Sequence, residues 1–185
     1  MSKAVSIEIR KLESSFEHSL VRVIANRNSQ EIKLIGLNVG PLEEGNEYEV
    51  QFWVAKELEK AGIVRFRQED RLDATKLYKI QWTERVQTAG QISKLPENFY
   101  PKLRRTLTEL KEETFKAPEK MQEYEKIRHL TRDIANARLK KIVSLASTSA
   151  QAEQILKNFT DEERFLYEQL YMLIYDWRTQ ILEHE

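Results

Sequence analysis

The spacing of apolar positions changes once along the chain, from short alternating runs to long helical stripes. Val5, Ile7 and Ile9 alternate with Ser6, Glu8 and Arg10, the step of two expected of a half-buried strand. Residues 20–24 and 32–37 are two further β-prone runs, parted by the turn-favouring Asn26, Arg27, Asn28 and Ser29. Gly40-Pro41 through Gly45 reads as a tight connection, because proline holds φ and glycine accepts positive φ. Tyr48, Val50 and Phe52 then alternate with Glu47, Glu49 and Gln51. Trp53, Val54, Leu58 and Ala61 take up helical spacing, Gly62 offers a stop, and residues 63–66 return to extended character.

From Leu72 onward the pattern is helical. Asp73 can cap a helix over residues 74–88, with Leu77, Ile80 and Trp82 as buried candidates and Gly90 beyond its end. Phe99, Leu103, Leu107 and Leu110 mark a second helix. Its Pro101 is tolerated only in a first turn, which puts the start near Tyr100. Pro118 opens a third helix running to about residue 146, with Met121, Tyr124, Ile127, Ile134, Ile142 and Leu145 on one broad face. Ser147, Thr148 and Ser149 break it, and a short helix over 151–157 follows.

The last helix, 160–182, carries the strongest signal. Thr160 and Glu163 form a T-x-x-E capping box, and Asp161, Glu162 and Glu163 suit the positive end of the helix dipole. Phe165, Leu166, Leu170, Leu173, Ile174, Trp177 and Ile181 fall on one stripe, expected to be the core face of the helical domain. Beside it Tyr167, Tyr171 and Tyr175 form a second row. Those tyrosines either rim the internal core, where a phenol tolerates a half-wet edge, or meet a partner. The whole predicts an α+β protein: a small β-rich N-terminal domain with one short helix over residues 1–70, then a larger all-α helical bundle over 71–185. The β unit would be marginal alone and is expected to dock on something.

Charge narrows the function classes. Lys and Arg total 30 and Asp and Glu total 30, and the balance holds in each half of the chain. No basic arm steers the protein to nucleic acid. With 32% charged residues, five glycines and four prolines, the chain reads as a helix-rich folded protein. It has no cysteine, which removes disulfides, thiolate metal sites and cysteine nucleophiles. The N-terminus lacks the apolar run of a signal peptide, and no segment approaches the ~20 apolar residues of a membrane span, so an intracellular, soluble protein without membrane contact is expected.

Candidate chemistry is sparse. His18, His129 and His184 are scattered, and His129 with Asp133 four residues on reads as a solvated helix surface rather than a ligand pair. No nucleophile elbow, phosphate loop or dinucleotide fingerprint is present. The Gly40–Gly45 stretch superficially resembles a glycine-rich loop, but its proline has no N–H to offer an anion. The expectation is therefore a non-enzyme with no cofactor and no metal. Basic residues recur along the third helix, interleaved with acidic ones, and charge-laced helix faces account for most of them. An alternative reading is a nucleic-acid-binding module that uses this helix or the β domain, with Arg138, Lys140 and Lys141 as the possible contacts.

Four strings in order carry a family likeness. The first is Gly40-Pro41, Gly45, Trp53-Val54-Ala55 and Leu58. The second is Leu95-Pro96-x-x-Phe99-Tyr100. Then follow Arg138-x-x-Lys141-Ile142-x-x-Leu145-Ala146 and Thr160-x-Glu162-Glu163-x-x-x-Tyr167. Together they resemble GINS complex subunits, in the arrangement with the β domain first, and most of all an archaeal member. The resemblance spans roughly residues 32–182; the segment before Ile32 matches least. It implies a non-enzymatic scaffold of the replicative helicase in DNA replication, located in the cytoplasm at the nucleoid. The implied partners are a helical-first paralogue in a two-plus-two heterotetramer, the MCM helicase and a RecJ-like nuclease homologue of the Cdc-type partner. On this reading the Tyr167, Tyr171 and Tyr175 row becomes the expected subunit interface.

Overall fold

The structure, a computed structural model, describes residues 2–34, 36–67, 71–88, 90–148 and 153–182. The chain divides into two compact units, residues 11–71 and residues 72–185 together with 1–10.

The chain begins with helix α1, Ser2–Glu17, where the alternation of Val5, Ile7 and Ile9 predicts a strand. That alternation covers only five residues. Val5, Ile9, Leu12 and Phe16 recur at steps of four, three and four, and over sixteen residues the helical period prevails. Ile7, off that row, is 54% exposed, while Phe16 is buried. The predicted strand was the wrong reading of a short run shared by both periods.

The small unit is built on β1 (Leu20–Ala25), with β2 (Ile32–Leu34), β3 (Leu37–Val39), β4 (Glu47–Gln51), α2 (Phe52–Lys60) and β5 (Val64–Phe66) following. Central β1 pairs antiparallel with β4 on one side and β5 on the other, bringing Val21 opposite Val50 and Val23 opposite both Tyr48 and Phe66. The single run at 32–37 resolves into the β2–β3 hairpin, with Ile32 opposite Val39 and Leu34 opposite Leu37; Ile35 lies outside the described residues. Helix α2 ends as expected at Gly62. With φ at +69°, it lets its N–H reach Glu59 O at 2.9 Å and Ile63 N–H reach Leu58 O at 2.9 Å, the paired bonds that close a helix C-terminus. Phe16, Phe52 and Phe66 form a chain of ring contacts through the core, at centroid distances of 4.5 and 5.8 Å.

The helical unit contains α3 (Ala74–Val86), α4 (Phe99–Lys116), a 3-10 turn at Pro118–Lys120, α5 (Met121–Ala146), the short α6 (Glu153–Leu156) and α7 (Asp161–Leu182). Asp73 caps α3, its side chain accepting the Lys76 N–H at 2.8 Å. Pro101 is the third residue of α4, where its missing N–H would have had no acceptor within the helix. Of the α6 prediction, Gln151 and Ala152 fall outside the described residues. Long α5 is the spine. Its Ile127, Leu130 and Ile134 pack with Leu77 of α3 and with Phe99 and Leu103 of α4, and its Ile142 and Ala146 pack with Phe159 and Tyr167. Trp82 is not part of this core and is 58% exposed. Five residues from Leu77 at about 100° each put it on a different face of α3.

Replacing Asp73 by Ala should destabilise the helical unit by about 1 kcal/mol, the usual cost of a lost N-cap, seen as a lower melting temperature with native helicity retained. An unchanged melt would show that the cap bond adds nothing.

Candidate functional site

Where α3, α5 and the start of α7 meet, the core is ionic. Arg138 of α5 is fully buried, with Glu84 of α3, Lys141 of α5 and Glu163 of α7 nearly so. The guanidinium engages Glu163 along one edge, Nε donating to Oε1 at 2.7 Å and Nη2 to Oε2 at 2.5 Å. Its Nη1 donates to Glu84 Oε1 at 2.8 Å and to the Ser93 carbonyl at 2.6 Å. Lys141 Nζ donates to the other Glu84 oxygen at 2.7 Å and to Gln87 Oε1 at 3.2 Å. The Ser93 hydroxyl also donates to Glu84 Oε1. Tyr100 of α4 donates its hydroxyl to Glu163 Oε1 at 2.7 Å. Two cations and two carboxylates balance.

Glu163 is shared between two tasks. The capping box predicted from Thr160 and Glu163 is formed: Thr160 N–H donates to Glu163 Oε2 at 3.1 Å, and Glu163 N–H to Thr160 Oγ1 at 3.3 Å. The same carboxylate that starts α7 therefore binds it to α5. Only a guanidinium can hold one carboxylate side-on while a further N–H reaches a second; a lysine ammonium has no planar fork.

Electrostatics agree with the geometry. Burial alone would push the Glu84 carboxyl up, but Lys141, the Ser93 hydroxyl and Arg138 more than offset it and hold it below the usual carboxylate range. Burial disfavours the charge on Arg138, and Glu163 and Glu84 outweigh that, so the guanidinium is held more firmly protonated than usual. The Tyr100 phenol is pushed well up by burial and by the Glu163 charge, and stays a donor.

This burial corrects the nucleic-acid alternative. Arg138 and Lys141 lie inside the helical unit, spent on Glu84 and Glu163, and cannot meet phosphates without breaking the core. Of the three residues expected to serve, only Lys140 is exposed. The His129 and Asp133 pair does not converge on a metal-like group either. Asp133 accepts from Gln81 at 2.6 Å, and no cluster of three potential ligands occurs among the described residues.

Along α7 burial divides the helix by length. Near its start Tyr167 is 3% exposed, with Phe159 edge-on at 5.5 Å and Tyr171 stacked at 6.0 Å. Tyr171 is half-buried, and Tyr175 is exposed. The stripe expected to be core parts in the same way: Phe165, Leu166, Leu170 and Ile174 are half-buried, whereas Leu173, Trp177 and Ile181 face solvent, Trp177 at 63%. Met172 and Leu182 are exposed as well. Beside them a cleft of about 260 Å³ runs between Tyr171, Tyr175 and Leu182 of α7 and Ala146 at the end of α5. In the distal half of α7, Leu173, Tyr175, Trp177, Ile181 and Leu182 are apolar side chains that the described residues leave exposed.

Glu84, Ser93 and Tyr100 were not singled out as chemistry from sequence. Arg138 and Lys141, three apart on a helix, share a face, which is the one local hint that both serve a single site.

Glu84 should leave a pH signature. Its folded pKa lies below the ordinary value of 4.5, so the stability it contributes is present above that value and is lost as pH falls through the folded one. Glu84→Gln should therefore melt well below the wild type at neutral pH, with the gap narrowing below 4.5. Parallel melting-temperature curves across that range would contradict the network.

Two family models match the chain. The GINS complex protein helical bundle domain matches residues 71–182, and the PSF2 N-terminal domain matches residues 9–65. Among curated proteins it is similar to the human DNA replication complex GINS protein PSF2, at 28% identity over 148 residues, which cover 80% of this chain and 76% of the human one. The string likeness agrees with both models. Tyr100, Arg138, Lys141, Thr160 and Glu163, drawn from three of those strings, meet in the single ionic hub. A β region followed by a helical bundle, with the bundle matched over more than half the chain, makes this protein a member of the GINS complex subunit family.

Proposed function

We infer that this chain is a non-enzymatic structural subunit of a GINS complex, acting as a scaffold of the replicative helicase assembly in DNA replication. Membership of the family supports it, as does the name of the human relative, a DNA replication complex protein. The observation that carries it is the distal half of α7. Leu173, Tyr175, Trp177 and Ile181 stand exposed together over about two and a half turns of one helix. Large aromatic and aliphatic side chains in such a row are what a subunit interface buries at its centre.

In this reading the subunit contact is carried by Tyr175, with half-buried Tyr171 at its edge and Tyr167 supporting it from inside. The row of Leu173, Trp177 and Ile181, expected to be core, joins the contact. In the same reading the short, cysteine-free chain is of an archaeal type that pairs, in its β-first order, with a helical-first paralogue, two copies of each, in the cytoplasm. Such a complex would link the MCM helicase to a RecJ-like nuclease homologue of the Cdc-type partner. The small β unit, with its own phenylalanine core, offers a second docking body for one of these.

Co-expression with a helical-first paralogue, followed by mass measurement in solution, tests this. The expected result is a two-plus-two particle, with Trp177→Ala weakening assembly by about 2 kcal/mol or more, roughly 30-fold, while the melting temperature of the free chain stays near wild type. A 22.0 kDa monomer that ignores the paralogue would overturn the reading.

A further inference from the structure

Helix α7 is held unequally. Within its 22 residues only Glu163 and Tyr167 are buried, both in the first two turns. Its apolar contacts are with the group of Ile92, Ile142, Ala146, Phe159 and Tyr167, against which Leu166, Leu170, Tyr171 and Ile174 pack half-buried; its polar ties are Glu163 to Arg138 and Tyr100, and further along Arg178 Nη2 to the Ser147 carbonyl at 2.7 Å. Arg138 itself touches four segments: Glu84 on α3, the Ser93 carbonyl before α4, the Asn158 carbonyl at 3.4 Å before α7, and Glu163 on α7.

We propose that the Arg138 hub is a positioning lock, which sets the axial register and direction of α7 against α5 and so displays the exposed distal half in one orientation. Apolar contacts are non-directional, so the packing of Tyr167 and Phe159 specifies register less sharply than a bond with fixed geometry. A side-on guanidinium–carboxylate pair has that geometry. One residue of axial slip moves Glu163 by about 1.5 Å, which breaks both bonds of the fork and leaves buried charges unpaired. Buried ion networks are seldom more stable than apolar packing of the same volume, and fixing register is their best-attested use. The consequence for assembly rests on the function proposed above. The lock itself is a property of the isolated chain, so the two fail in different measurements.

The chain has no cysteine, so two spin labels at Arg132→Cys on α5 and Gln180→Cys on α7, both at exposed positions, report one distance. Pulsed dipolar spectroscopy on the full chain should give a single narrow distribution. In Arg138→Met with Glu163→Gln, which removes one charge of each sign and leaves Glu84 with Lys141, helicity and a cooperative melt should persist while the distribution at least doubles in width. Arg138→Lys, which keeps the charge and loses the fork, should broaden it as well. Leu103→Ala, a core change away from α7, should lower the melting temperature and leave the width alone. An unchanged width in the double variant overturns the proposal, as does equal broadening in Leu103→Ala. Loss of the fold in the double variant overturns it too, because the hub would then be a stability element.

Discussion

One guanidinium serving two carboxylates is the constraint on which the helical unit depends. Arg138 sits where α3, α5 and α7 converge, has no solvent to fall back on, and must be satisfied entirely by the protein. Satisfying it takes Glu84 from one side, Glu163 from another and two backbone carbonyls from the connecting segments. Each of those groups is delivered by a different stretch of chain. Arg138 therefore couples local decisions, where α3 ends, how the 90–98 segment runs and where α7 begins, into one arrangement. Lys141 and Tyr100 complete the accounting by taking lone pairs that Arg138 leaves open.

The division of labour along α7 follows from that constraint. Its first turns are tied by Glu163 and Tyr167, and its last turns carry Tyr175, Trp177, Ile181 and Leu182 into solvent. An isolated unit would gain nothing from exposing them. A subunit gains an interface whose placement is set by groups already buried, so that ordering costs are met on folding rather than on binding. Under the proposed function a charged core and a structural role are compatible, the charged residues serving to position a surface.

How much of this was readable from sequence depended on the distance between interacting residues. The Thr160–Glu163 box, the Asp73 cap and the Gly62 stop were legible because each joins residues within a turn or so. Local periodicity failed at α1, where three alternating residues imitate a strand inside a helical row. It failed differently at α7. A stripe shows which residues share a face and says nothing of what covers it, so Leu173, Trp177 and Ile181 were expected in the core and stand outside it. Glu84 and Arg138, 54 positions apart, carry no joint signal in one sequence. Arg138 and Lys141 looked like phosphate contacts because a buried cation and a solvated one are spelled alike.

In the proposed complex the distal face of α7 is covered. Oxidative footprinting of Trp177 tests it directly, comparing the free chain with the complex reconstituted from a helical-first paralogue. Trp177 should oxidise readily in the free chain and be strongly protected in the complex. Equal oxidation in both states, with the complex verified by mass, would contradict that coverage.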